Sequence, residues 1–210
     1  MFKEKTSFLK KIKEAFHPTP LRKRIVDSLI KLKMQLRRLE ITSNQLEQRD
    51  KRLYGKCIEA YQAKNFQLAQ IYANECAEIR KIVKITLLSQ LALERVVLRL
   101  ETLVEFGDLA HTMMPLVNVV GKVKNQLEDI MPSVSLKLSE VNENLEGIML
   151  EIGEVSESHF DTQASSEEAQ KILNEASMIA EQRMKERFPE LPASISARER
   201  IQDTGIQKKE

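Results

Sequence analysis

The chain has 210 residues, 42% of them hydrophobic and 30% charged, with a formal net charge of +2. Aromatic residues make up 5%, there is no Trp, and only 6 Gly and 6 Pro are spread over the whole length. This scarcity of breakers, with abundant Leu, Lys, Glu, Gln and Arg, excludes a β-rich fold and points to long helices. The near-neutral total hides a strong asymmetry. Residues 1–56 carry 16 Lys+Arg against 6 Asp+Glu, whereas residues 126–190 carry 5 against 15. A basic front and an acidic rear can attract each other, or the front can be released to an anionic partner. That pattern suits a switchable binding protein better than a catalyst.

Residues 2–16 form the first unit. At helical spacing Phe2, Phe8, Leu9, Ile12 and Phe16 share one side, while Lys3, Lys10, Lys11 and Lys13 supply the flanking cations. So short a helix is marginal alone in water. It is expected to be an amphipathic membrane-binding helix, since bulky apolar groups beside lysines suit anionic lipid heads. The alternative is a helix packed on the body of the protein. His17-Pro18-Thr19-Pro20 ends the unit, with Thr19 as N-cap and Pro20 at the first helical position.

Ile25, Leu29, Leu32, Leu36, Leu39, Ser43, Leu46, Asp50, Leu53 and Cys57 then follow heptad spacing, which predicts a helix over 21–63 with one long seam. Lys64-Asn65 is the expected reversal. The partner is the stretch from Phe66 to about Phe106, whose second half is apolar over more than one face. Further helices or neighbouring subunits must cover that surplus, and it is a first hint of self-assembly. Gly107-Asp108, Pro115 and Pro132 mark breaks, so 109–130 and 134–152 read as two shorter helices. Residues 153–164 read as a polar linker, and Ser165-Ser166-Glu167-Glu168 as a capping box opening a helix at 166–187. The expected organisation is an N-terminal helix over 1–17 and a core over 18–160, with its hairpin at about 20–106. A C-terminal regulatory helix over 161–190 and a disordered tail over 191–210 complete it. The fold class is all-α: a long antiparallel hairpin followed by shorter acidic helices, elongated and polymer-forming.

Convergent polar chemistry is missing. His17, His111 and His159 lie in different segments, and Asp108-x-x-His111 is a single approach to a pattern that a di-iron bundle needs twice. There is no phosphate loop, nucleophile elbow or zinc spacing. Cys57 and Cys76 read as small apolar residues on helix faces. No run is long enough to cross a membrane and no secretory signal is visible, so a soluble, intracellular, at most peripheral protein is expected. Neither an enzyme, a cofactor nor a small-molecule substrate is implied. Arg22, Lys23 and Arg24, directly after the candidate membrane helix, are assigned with it to the membrane. Nucleic acid is disfavoured because the basic stripe lacks interleaved aromatics.

The basic first helix RKRIVDSLIKLKMQLRRLE, the reversal around YQAKNFQLAQIYANECAEIRK and the acidic helices after it resemble the ESCRT-III family, in particular its archaeal cell-division branch without a winged-helix extension. The resemblance covers roughly residues 18–187 and rests on the order of parts. It implies a non-enzymatic subunit cycling between a closed monomer and an open form. The open form builds filaments on anionic membrane with its own copies and paralogous subunits, and the filaments constrict necks during division. It also implies an AAA-type ATPase with a microtubule-interacting-and-trafficking domain that grips C-terminal motifs. Phe188-Pro189-Glu190-Leu191-Pro192 is similar to the proline-containing version of such a motif, although a plain helix stop would look the same. The location implied is cytoplasmic, on the inner face of the cell membrane at the division site. A dimeric coiled-coil or BAR-like membrane scaffold remains the alternative.

Overall fold

A computed structural model describes residues 21–106, 113–156 and 162–192. Five helices account for them: α1 (Leu21–Gln62), α2 (Phe66–Phe106), α3 (Met113–Leu127), α4 (Pro132–Ser156) and α5 (Thr162–Arg187). With 42 residues rising 1.5 Å each, α1 is about 63 Å long, and α2 runs back along it. The fold is all-α and elongated. Residues 2–16, 107–112 and the tail beyond 192, which include the expected membrane helix and the Asp108/His111 pair, lie outside the described residues.

The reversal falls where the sequence places it, and its geometry explains how two residues without Gly or Pro can turn the chain. Lys64 adopts φ 60°. Its N–H donates to the Tyr61 carbonyl at 3.0 Å, and the Asn65 N–H donates to the Ala60 carbonyl at 2.9 Å. This pair of bonds caps the last carbonyls of α1 as a left-handed C-terminal motif. Asn65 then caps α2, its Oδ1 accepting from the Leu68 N–H at 3.2 Å.

The heptad seam closes as expected. Ile25, Leu29, Leu32 and Leu39 are buried, and so are Ser43, Asp50 and Cys57; Leu36, Leu46 and Leu53 are half-buried. The surplus apolar surface of α2 is used within the chain. Leu93, Val96, Val97, Leu100 and Leu103 join Met113, Leu116, Val120 and Leu127 of α3 and Val134, Leu138, Val141, Leu145 and Ile148 of α4 in one core. Ala169, Ile172, Leu173 and Ala176 of α5 complete it. Between 87 and 104 the one large apolar side chain left exposed is Leu98, at 56%. In this conformation further helices of the same chain cover that stretch, one of the two covers its hydropathy called for.

Two expected boundaries move. Pro132 sits at the start of α4, where its missing N–H is harmless, and α4 continues to Ser156 rather than stopping near 152. The polar stretch 153–164 is thus only partly a linker. α5 begins at Thr162, so Ser165 and Glu168 lie inside the helix and do not open it. Glu168 reaches across to an ion pair with Arg99 of α2, and Ser165 is buried. The helix begins three residues before Ser165, and Glu168 is committed to α2.

Candidate interaction surfaces

The asymmetry of charge is answered inside the molecule. α4 lies antiparallel on α1. Arg24 Nη1 meets Glu151 Oε2 at 2.7 Å, while Lys31 Nζ stands 4.0 Å from Glu140 Oε2. Asn144 of α4 adds a hydrogen-bonded tie, donating to the Arg24 carbonyl at 3.2 Å and to Ser28 Oγ at 2.7 Å. The Arg24 guanidinium also crosses Gly147 so closely that an added Cβ would lie 2.9 Å from Nη2. That position accepts no larger residue while Arg24 stays in place.

α5 lies antiparallel on α2, and its carboxylates meet cations of α2. Lys84 Nζ is 2.9 Å from Glu181 Oε1 and Arg95 Nη2 is 3.0 Å from Glu175 Oε2, with Arg99–Glu168 as the third pair. The acidic rear thus covers both arms of the hairpin. The α2 cations that meet α5 lie outside the basic window of residues 1–56, so charge counting alone did not mark them. Hydrogen bonding from Lys84 holds the Glu181 carboxyl below its ordinary range. Hydrogen bonding from Lys137, helped by the charge of Lys31, does the same for Glu140. These pairs are solvent-exposed, so each is individually weak and salt-sensitive.

The candidate membrane residues separate. Arg22 and Lys23 are exposed, while Arg24 is half-buried in the α4 contact. Phe2, Lys3, Phe8, Leu9, Lys10, Lys11, Ile12, Lys13 and Phe16 fall outside the described residues. The outer face of α1 adds a feature that heptad reading passes over. Val26, Ile30 and Met34 at i, i+4 spacing, and Ile41 two turns beyond Met34, are all exposed. Arg22, Lys23, Lys33, Arg37 and Arg38 flank them. The signal was present in the sequence, in apolar residues off the seam, but the seam absorbed the attention.

Phe188–Pro192 continues from α5 along the hairpin. Phe188 is buried among Leu46, Leu53, Ile79, Val83 and Met184. Leu191 packs on the cluster of Cys57, Ala60, Ala69 and Ala73. Asp50 and Arg80 lie beneath this segment. Arg80 Nε and Nη2 grip the two Asp50 carboxylate oxygens at 2.9 and 3.1 Å. An aspartate in a heptad seam requires such a partner, because an unpaired buried charge is expensive. Both cysteines are buried thiols nearby. Burial raises the Cys57 thiol and, with the charge of Asp50, pushes Cys76 up to about 12. They stay protonated at neutral pH and are poor nucleophiles.

Among the described residues there is no cluster of His, Cys, Asp or Glu able to hold a metal ion. No described helix is long and apolar enough to cross a membrane.

These features define a class: an all-helical hairpin whose arms are covered by its own acidic C-terminal helices. No family model matches the chain, and no solved structure matches it. Curated relatives do. The chain is 41% identical over 184 residues to Cell division protein B1 of Sulfolobus acidocaldarius, covering 88% of this chain and 86% of that protein. It is 36% identical over 172 residues to Cell division protein B of the same organism, covering 82% of this chain and 66% of that protein. The chain belongs to the family of these archaeal cell division proteins, B and B1.

Proposed function

We propose that this protein is an ESCRT-III-like subunit of the archaeal division machinery. It assembles with its own copies and paralogous subunits into filaments on the inner face of the cell membrane. There it remodels and constricts the membrane at the division site, and an AAA-type ATPase with a microtubule-interacting-and-trafficking domain takes the filaments apart. The observation that carries the reading is the acidic α4 and α5 folded over a basic hairpin. The names of the relatives support the setting in cell division.

The arrangement is read as the closed form. Ion pairs from α4 and α5 offset the hairpin's cations, and their sum has to bias a closed–open equilibrium by only a few kcal/mol. An anionic bilayer offers competing negative charge to Arg22, Lys23 and the other cations of the outer α1 face. Residues 2–16 insert their apolar side, and the stripe Val26, Ile30, Met34 and Ile41 extends the contact as an interfacial helix would. Release of α5 then uncovers Ile172-facing and Leu173-facing parts of α2 and α3 for a neighbouring copy.

The test is sedimentation and electron microscopy with anionic vesicles. Truncation at 126 is a poor probe, because α4 supplies Val134, Leu138, Val141 and Leu145 to the core. Charge reversal of Glu168, Glu175 and Glu181 to Lys, in the full chain, loosens α5 without emptying the core. It should raise vesicle binding and polymer formation, and salt should weaken vesicle binding. A variant that stays monomeric and unbound, with the native protein indifferent to ionic strength, refutes the closed-form reading. Phe8, Leu9 and Ile12 changed to Asp should abolish co-sedimentation.

A further inference from the structure

The seam between α1 and α2 turns polar at one level. Ser43 of α1 is 4% exposed and Ser89 of α2 is fully buried, yet neither Oγ has a hydrogen-bond partner. Gln35, about two turns nearer the start of α1, is buried with its Oε1 also unpartnered. Two ties fix the register of the arms: Asp50 binds Arg80, and Lys33 Nζ lies 2.6 Å from Glu101 Oε1. Stepping inward from both ties brings Ser43 level with 87–91 of α2, and so with Ser89. Local chemistry weakens each arm there. Thr42-Ser43-Asn44 are consecutive poor helix formers in the middle of a 42-residue helix. On α2, Thr86 Oγ1 donates to the Ile82 carbonyl at 2.8 Å, a back-bond of the kind that bends helices. Apolar packing is interrupted at the same level. The buried residues of the large core end at Leu39 and Ala92, and the next cluster takes up at Leu46 and Val83. Between them the buried positions are Ser43, Thr86, Leu87 and Ser89. The bundle stops here too. Continuing along both helices from the Lys31–Glu140 pair, Leu39 comes level with Pro132, the first residue of α4. Leu88 shares a cleft with Asn125 and Gln126 at the end of α3. Among the described residues, α5 and the segment after it are all that continue alongside, and α5 passes with Met178 and Ile179 exposed.

We infer that the hairpin is jointed at Ser43 and Ser89, where it bends between a stiff bundle end and a lighter turn end. Straight, the hairpin withholds partners from two buried hydroxyls, which is unfavourable. Bent, it admits water to both, and such small side chains leave little packing to lose. The two shapes therefore lie close in free energy, as a joint requires. Side chains bonding into the helix ladder are also where long helices bend. In filaments of the kind proposed above, the joint lets one subunit fit rings of different radius while its contacts at either end stay the same. That consequence rests on the proposed function; the joint itself does not.

The test uses the full chain, with Cys57→Ala and Cys76→Ala so that introduced cysteines alone carry spin labels. Labels at Lys23→Cys and Glu59→Cys, both exposed on α1, lie about 54 Å apart on a straight helix. Labels at Lys23→Cys and Arg38→Cys, about 22 Å apart, stay within the bundle end as a control. The long pair should give a distance distribution broadened toward shorter values, and the control pair a narrow one. Ser43→Ala with Ser89→Ala removes both hydroxyls without adding bulk, and should narrow the long-pair distribution to the straight distance. It should also slow amide exchange at 40–46 and 83–89 by roughly tenfold, since alanine favours the helix and leaves no unpaired hydroxyl. A native long-pair distribution as narrow as that of the double variant overturns the joint. One that stays broad in the double variant overturns the part given to the serines. On anionic vesicles, tubes formed by the native protein should span a wider range of diameters than those of the double variant. Equal ranges, with the solution distances narrowed, overturn the consequence for curvature and leave the joint standing. No tubes from either protein overturns the filament reading, while the distances still decide the joint.

Discussion

Toward the ends of the hairpin arms away from the turn, Leu32 and Leu39 of α1 face Leu93, Val96 and Leu100 of α2, and three further helices close over them in one apolar core. Toward the turn the same two helices face each other almost alone. There the seam runs through Ser43, Asp50 and Cys57, and two small apolar clusters replace the single large one. Phe188 and Leu191 belong to those clusters, so the turn half borrows its cover from the C-terminal segment. A continuous apolar core is non-directional and holds by area, whereas a seam built on an ion pair holds by geometry and by what shields it. The first half is built to persist. The second depends on its cover, because removing five residues changes much of what shields it.

Leu100→Ala attacks the persistent half and should show the largest effect. It removes a fully buried side chain from a site walled by several helices, at about 4 kcal/mol, measured by urea denaturation as a single cooperative loss. Asp50→Ala attacks the other half. It leaves Arg80 facing apolar surroundings and should cost about 3 kcal/mol. Asp50→Leu combined with Arg80→Met should recover most of that in stability. Amide exchange sharpens the contrast: in Asp50→Ala, protection should fall around 46–83 first and around 93–103 last.

Lys64→Gly works in the opposite direction. The residue sits at φ 60°, where a side chain is strained and glycine is not, so the exchange should stabilise by about 1 kcal/mol. A thermal melt with no gain would mean that Lys64 makes a compensating contact. Cys76→Ala is read by its pH slope, because loss of a fully buried sulfur costs packing equally at every pH. The Cys76 thiol ionises near 9.0 in the unfolded chain and at about 12 in the fold. The folded state therefore favours the protonated form. Its contribution is complete below pH 9.0 and is lost as pH rises toward about 12. Cys76→Ala should flatten that alkaline decline, and an unchanged slope would assign it to other groups.

Much of this fold was legible in the chain itself. The seam from Ile25 to Cys57, the reversal at Lys64-Asn65, the break at Pro132 and the division into five described helices follow from periodicity and breakers. Those signals are local, and long helices express them strongly. The start of α5 was not legible, because Ser165 and Glu168 make a valid local cap, yet the helix begins at Thr162 and Glu168 pairs with Arg99 from across the molecule. Of the candidate surfaces, the basic face with Arg22 and Lys23 could be read from charge. The withdrawal of Arg24 to Glu151 could not, since 127 positions separate the partners. Nor could the partner at Arg80: only Asp50, a charge in an apolar row, gave a hint that something opposite had to answer it.

The sequence by itself determined that this protein is a set of long helices with a basic front and an acidic rear, because helical periodicity and net charge are sums over neighbouring residues. Only the tertiary structure decided which arm each acidic helix covers, how the surplus apolar face of α2 is consumed and where residues 188–192 come to rest. Those outcomes depend on packing and ion pairs between residues far apart in the chain. Many pairings satisfy the same charges, and shape selects among them.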